Sequence, residues 1–168
     1  MKTRAALVVV VLVAFTVWLG AEEAQRKVST YSDAVYGFTI QAPRFPKGPA
    51  GGNVVPVFWQ APPEGGLSAN VNVMVQRVAM TRQAYREATL AGLNQMGWKG
   101  ISDSDLTVSG RDAMLIEYEG SMGGQAFRWL ALAVLDKEQV FLVTCTATKD
   151  TFAKYEKEFR TCLDSFRL

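Results

Sequence analysis

Histidine is absent from this 168-residue chain, and with it go the commonest general base and the commonest zinc ligand. Serine triads, cysteine-histidine dyads and zinc sites in their usual forms are thereby excluded. Concentrated positive charge is missing too. The formal charge of +2 comes from Lys2 and Arg4, because the other 16 Lys and Arg balance all 16 Asp and Glu. No basic run is longer than Arg26-Lys27. A nucleic-acid binder needs a basic face to displace counterions from phosphates, so no nucleic-acid partner is expected.

A long apolar run is also lacking. Residues 5–19 are apolar apart from Thr16, which falls short of the roughly 20 residues needed to span a bilayer. Met1-Lys2-Thr3-Arg4 before that run and Gly20-Ala21 after it give the layout of a secretory signal. Residues 1–21 are therefore read as a signal peptide; an uncleaved anchor over residues 5–21, with its basic end in the cytoplasm, is the alternative. Residues 22–28 are polar and read as a tether, leaving residues 29–168 as a single domain that is exported, periplasmic or extracellular. Contact with the membrane is expected only through an uncleaved N-terminal segment.

Cysteine is scarce, and export gives both copies a meaning. Cys145 follows Phe141 and Val143 on one face of an apolar strand, and Cys162 lies in the helical stripe Phe152, Tyr155, Phe159, Cys162, Phe166. Both point toward one layer, and an oxidising compartment permits a bridge, so a Cys145–Cys162 disulfide is expected. Closing so short a loop would contribute about 3 kcal/mol in the chain-entropy model. The alternative is two buried thiols acting as small hydrophobes.

What is present is a strongly patterned domain, 49% hydrophobic and 20% charged. Residues 29–35 and 38–40 read as short strands around Tyr36-Gly37, and residues 54–59 as an edge strand, because Pro56 cannot donate to a ladder. Leu67, Ala69, Val71, Val73 and Val75 alternate with polar residues in a strand with one buried face. Thr81 caps a helix running to about Met96, with Tyr85, Ala88, Gly92 and Met96 on one face and Ala84 and Ala91 beside it; Gly97 ends it. Four strands follow, over residues 105–108, 113–119, 126–135 and 139–148, with connections short enough to force an antiparallel meander. Gly120 to Gly124 is read as one of those turns. Asp150 caps a last helix over residues 151–164. Both faces of the third meander strand are largely apolar, so helices are expected on both sides: an α+β domain, an antiparallel sheet in a three-layer α/β/α sandwich.

Several local signatures are similar to those of PsbP-like domains. Tyr31-Ser32-Asp33 with the segment from Tyr36-Gly37-Phe38-Thr39-Ile40 to Pro43 resembles their opening strands. Val108-Ser109-Gly110-Arg111-Asp112-Ala113 resembles the hairpin that opens their meander, and residues 141–146 with the helix closing on Ser165-Phe166 resemble their last strand and helix. The resemblance covers residues 29–168 and implies the same sandwich, which that family shares with a Ran-binding nuclear import factor and with bacterial exported proteins. Histidine-based metal sites of some members have no counterpart in this chain.

Candidate chemistry is thin. Asp103, Asp105 and Asp112 lack the remaining ligands of a calcium loop. Glu117 and Glu119 share a strand face, yet nothing in the sequence separates their acidities as hydrolase carboxylates require. The segments 48–52 and 120–124 lack the ending of a phosphate loop, and the methionines are scattered. No catalytic residue, metal or cofactor is expected. Tryptophan remains, since aromatic side chains dominate recognition surfaces. Trp59, on the expected edge strand, and Trp98 are the partner-binding candidates; Trp129 reads as core. The expectation is a non-enzymatic binding or accessory module that contacts another envelope protein. A small-ligand carrier with a pocket between helix and sheet is the second reading, and a hydrolase the third.

Overall fold

Two-residue alternation and a helical stripe assemble the domain. The computed structural model describes residues 29–52, 54–64 and 67–168; the expected signal peptide (1–21) and tether (22–28) lie outside the described residues. In chain order the elements are β1 (Thr30–Ser32), β2 (Thr39–Gln41), β3 (Val57–Gln60), β4 (Asn70–Arg77), α1 (Arg82–Gln95), β5 (Lys99–Val108), β6 (Arg111–Met122), β7 (Gln125–Asp136), β8 (Gln139–Thr148) and α2 (Phe152–Ser165). Strands β5 to β8 form the expected meander, and β4 and β3 extend it into a six-stranded antiparallel sheet of order β3-β4-β8-β7-β6-β5. β3 is an edge strand, as Pro56 implied. β1 and β2 form a separate hairpin, joined to the C-terminus by mutual backbone hydrogen bonds between Thr39 and Arg167.

α2 packs one face of the sheet with the stripe the sequence displays. Phe152, Tyr155, Phe159, Cys162 and Phe166 are all buried, and they meet Leu130, Leu132, Val134, Val143 and Cys145 in one core. Each fully buried apolar side chain of this size contributes about 1.5–3 kcal/mol. The helix begins one residue later than expected, with Thr151 rather than Asp150 in the capping position. The hydroxyls of Thr148 and Thr151 are hydrogen-bonded to each other at 2.8 Å. Cys145 and Cys162 do face the same layer, but both thiols are free and the expected disulfide is not formed. The Cys145 thiol instead lies 4.0 Å from the Phe159 carbonyl oxygen, and both cysteines serve as small apolar groups in a close-packed interior.

The opposite face is covered only in part. α1 is capped as expected, the Thr81 hydroxyl accepting from the Ala84 amide at 3.2 Å, but it buries only Tyr85 and Leu93. Ala84, Ala88, Ala91 and Met96, placed on its inner side by the sequence reading, are exposed. Small side chains offer little area to bury, so Tyr85 and Leu93 set the rotation of the helix. Tyr85 joins Met114, Ile116, Ala133 and Val140 in a second, smaller cluster. On β4 and β8 the same face presents Asn70, Asn72, Met74, Thr144 and Thr146, all half-buried. The fold is therefore α+β, with one face of the sheet packed by α2 and the other only partly overlain by α1, rather than the full sandwich.

Candidate functional site

The turn that ends α1 sets up the most distinctive surface of the molecule. Gly97 has a φ of +69°, a conformation that favours glycine after a helix. Two reverse hydrogen bonds close the turn, from the Gly97 amide to the Asn94 carbonyl at 3.0 Å and from the Trp98 amide to the Leu93 carbonyl at 2.9 Å. Trp98 is thereby held against the helix end immediately before β5. Its indole stacks on Trp129 with ring centroids 4.4 Å apart and planes 15° from parallel. Tyr118, cross-strand from Trp129, stacks on it at 5.1 Å, and Phe127 follows at 5.5 Å.

Gly120 makes this arrangement possible. A Cβ there would press on Cδ1, Cγ and Nε1 of Trp98, the last at 2.8 Å. The indole therefore lies directly on the strand backbone, the close approach that a glycine inside a strand marks. The expected turn over residues 120–124 is correspondingly shorter. β6 runs to Met122, which pairs with Gln125, and only Gly123 and Gly124 turn, both at positive φ.

Beside the stack is an open recess of about 320 Å³, lined by Met96, Trp98, Lys99 and Phe127 with Glu119 and Lys149 at its margin. Trp98 is half-buried, while Phe127 and Trp129 are buried. Met96 and Met122 are more than half exposed. Lys149 pairs with Glu119 at 3.0 Å, and Lys99 lies directly cross-strand from the same carboxylate. The hydrogen bond from Lys149, with the nearby charges of Lys149, Lys99 and Arg128, holds Glu119 below the usual carboxylate range. One carboxylate, ion-paired with Lys149, thus has Lys99 as its cross-strand neighbour, and these three side chains carry a net positive charge. Burial pushes the Tyr118 hydroxyl up to about 12, so it stays protonated at neutral pH. The arrangement offers a flat aromatic ledge, flexible thioether contacts and a positive rim.

The other sequence candidates lie elsewhere. Trp59 is 3% exposed, which overturns its reading as a surface residue. It shares the inward face of β3 with Val57, pairs with Val71, and meets Tyr31 edge-on at 5.6 Å. Glu117 is buried and accepts from Arg128 Nε at 2.6 Å, and the Arg128 guanidinium also sits over Phe152. Asp103, Asp105 and Asp112 are bound to α1: Arg86 meets Asp103 at 2.9 Å, and Arg82 meets Asp105 at 3.3 Å and Asp112 at 3.2 Å. Among the described residues no group of three or more acidic, cysteine or histidine side chains is placed to hold a metal. Nor, among them, is any helix long and apolar enough to cross a membrane.

A meander flanked by a strand pair, a hairpin tied to the C-terminus and a helix over one face defines a PsbP-like fold. Solved structures bear this out. Cyanobacterial PsbP (CyanoP) from Synechocystis sp. PCC 6803 matches with a TM-score of 0.61 at 17% identity, covering 84% of this chain and 92% of that one. LpqN of Mycobacterium tuberculosis, described as involved in cell envelope biogenesis, matches with a TM-score of 0.61 at 12% identity over 85% and 86% of the two chains. A Pseudomonas aeruginosa protein of unknown function matches with a TM-score of 0.57 at 14% identity over 79% and 91%. No protein-family model and no curated protein matches the chain. At these identities the likeness is one of fold.

Proposed function

We propose that this chain is an exported, non-enzymatic binding or accessory module of the cell envelope, contacting another protein through the surface around Trp98. The observation that carries the reading is the seating of Trp98. A half-buried indole is fixed on a stack of rings by two glycines, beside an open recess and the exposed Met96. Aromatic residues and methionine are enriched at interface centres, and a side chain already immobilised loses little entropy on binding. The envelope setting draws on the export-type N-terminal sequence and on the likeness to LpqN.

A small-ligand carrier is the second reading. It is favoured by a recess of about 370 Å³ between the end of β2 and α2, lined by Ala42, Arg44, Lys157 and Cys162. The layer between α2 and the sheet, however, is filled by Phe152, Phe159 and Phe166. Catalysis by Glu117 and Glu119 has less support, because each carboxylate is engaged by a cation.

The test is site-specific photo-crosslinking in cells that export the full chain. A photoreactive residue at Met96 is expected to give a discrete protein adduct, and one at Val35, 84% exposed on the β1–β2 turn, is expected to give none. No adduct from Met96, or the same adduct from both positions, would remove the reading.

A further inference from the structure

The two edges of the sheet differ in a way that identifies what the Trp98 surface is built to meet. β3 has only four residues, and its outer side is occupied. The Gly48 amide donates to the Phe58 carbonyl at 2.9 Å and the Gln60 amide to the Pro46 carbonyl at 3.0 Å. β5 has ten residues, pairs only with β6, and is exposed from Lys99 through Asp105. Among the described residues no backbone group of β5 finds a partner beyond the β6 ladder. An unpaired edge of this length is a template for another strand. Asp103 and Asp105, the only charges between Lys99 and Val108, are paired with Arg86 and Arg82 of α1. A register shift between Gly100 and Ser102 sets Ile101, 41% exposed, outside the ladder at the end nearest Trp98.

That end of the edge borders the recess, since Lys99 is both the first residue of β5 and part of the recess wall, whose further strand residues, Gly120 and Phe127, lie inward on β6 and β7. A strand laid along β5 would lie about 4.8 Å from it, on the side away from β6, and its continuation beyond Lys99 would pass Trp98, the residue before it. The rim there is positive, with Lys99 and Lys149 about one carboxylate.

We propose that the β5 edge and the Trp98 recess form one continuous site for an extended peptide segment of a partner protein. The segment pairs with β5 through its backbone and presents an aromatic or aliphatic side chain, with an adjacent carboxylate, to the recess. The inference rests on the reading of the Trp98 surface as a protein contact and names the chemistry of its occupant. Strand addition to an exposed edge takes affinity from main-chain hydrogen bonds and specificity from pockets for alternate side chains. Both parts are present side by side.

The experiment pans a displayed library of random decapeptides on the full-length protein and remakes the enriched sequences synthetically. Enriched peptides are expected to place Asp or Glu beside an aromatic or aliphatic residue. Their affinity is expected to fall at least tenfold in Lys99→Glu, and equally when alternate backbone amides of the peptide are N-methylated. No enrichment, or binding indifferent to both changes, would overturn the proposal. So would a concentration-dependent dimer abolished by Ser104→Pro, since that result gives the edge to a second copy of the chain. If the Met96 crosslink forms in the envelope but no peptide is selected, the protein contact stands and strand pairing alone is lost.

Discussion

Replacing Gly120 with alanine isolates the feature on which the binding surface depends. The added Cβ meets the Trp98 ring on three of its atoms, and β6 is paired on both sides, so the indole must leave its seat. Overpacking of this kind costs about 1–3 kcal/mol. Losing the offset stack on Trp129 adds about 0.5–1.5 kcal/mol. Alanine in place of a strand glycine returns roughly 0.5–1 kcal/mol through the unfolded chain. The net destabilisation is about 2 kcal/mol, a fall in Tm of roughly 5–10 °C for a domain of this size. Gly100→Ala is the control, because a Cβ there meets nothing within 4 Å; its Tm should hold or rise slightly. Urea unfolding and near-ultraviolet circular dichroism read the effect, the latter losing the signal of the Trp98–Trp129 pair. The decisive comparison places Gly120→Ala in a Trp98→Ala background, where the clash is gone and the substitution should become neutral or stabilising. An undiminished cost in that background would refute the argument that Gly120 is there for Trp98.

Cys145 and Cys162 are free and buried, and burial pushes the Cys145 thiol well up and the Cys162 thiol to about 12. A thiol reagent at pH 8 should therefore leave the native protein untouched and titrate both groups after unfolding without reductant; a denatured protein with no reactive thiol would contradict the structure. Stability should vary little between pH 6 and 7.5, because the chain has no histidine and both thiols are protonated in the folded and the unfolded chain. Above that window the unfolded thiols ionise around the ordinary 9.0 while the buried ones do not, so stability falls as pH rises. Below that window the sign is fixed by Glu64, held down first by a hydrogen bond from Lys154, and by Glu119, held down first by one from Lys149. Folded values below the ordinary 4.5 mean a contribution present above that pH and lost as pH falls through the folded values. Differential scanning fluorimetry should show a flat Tm from pH 6 to 7.5, and on the acid side a decline that shrinks in Lys149→Met; a step between pH 6 and 7.5 would contradict the assignment.

The sheet was legible because its signals are local and repeated. Residues 139–148 were read as a strand with the bounds observed for β8, and Val71, Val73 and Val75 were placed on the buried face. The aromatic stripe of α2 likewise declares its own inner side. The inner side of α1 differs from the expected one because Tyr85, expected beside Ala88, Gly92 and Met96, buries itself together with Leu93 instead. Both sets recur at helical spacing, and periodicity does not weigh area. The expected sandwich failed for the same reason. A helix that buries two side chains covers little of a six-stranded sheet, and the polar side chains of β4 and β8 on that face make no demand for cover.

The two tryptophan candidates differ in burial for a reason already present in the spacing. Trp59 follows Val57 by two and therefore shares its inward face; an edge strand exposes its backbone, but its alternate side chains still enter the core. Trp98 precedes a strand, directly after the left-handed glycine that ends a helix, so its direction is set by a turn rather than by alternation. Its seat, Gly120, lies more than twenty residues away on the neighbouring strand. A glycine inside an alternating run was the available signal, and its place near Gly123-Gly124 made it look like part of the turn. An indole laid over Gly120 directly after the left-handed Gly97, at the point where the unpaired β5 edge begins, is poorly explained by packing alone. A core tryptophan would be closed over, and a merely solvated one would not need Gly120 beneath it.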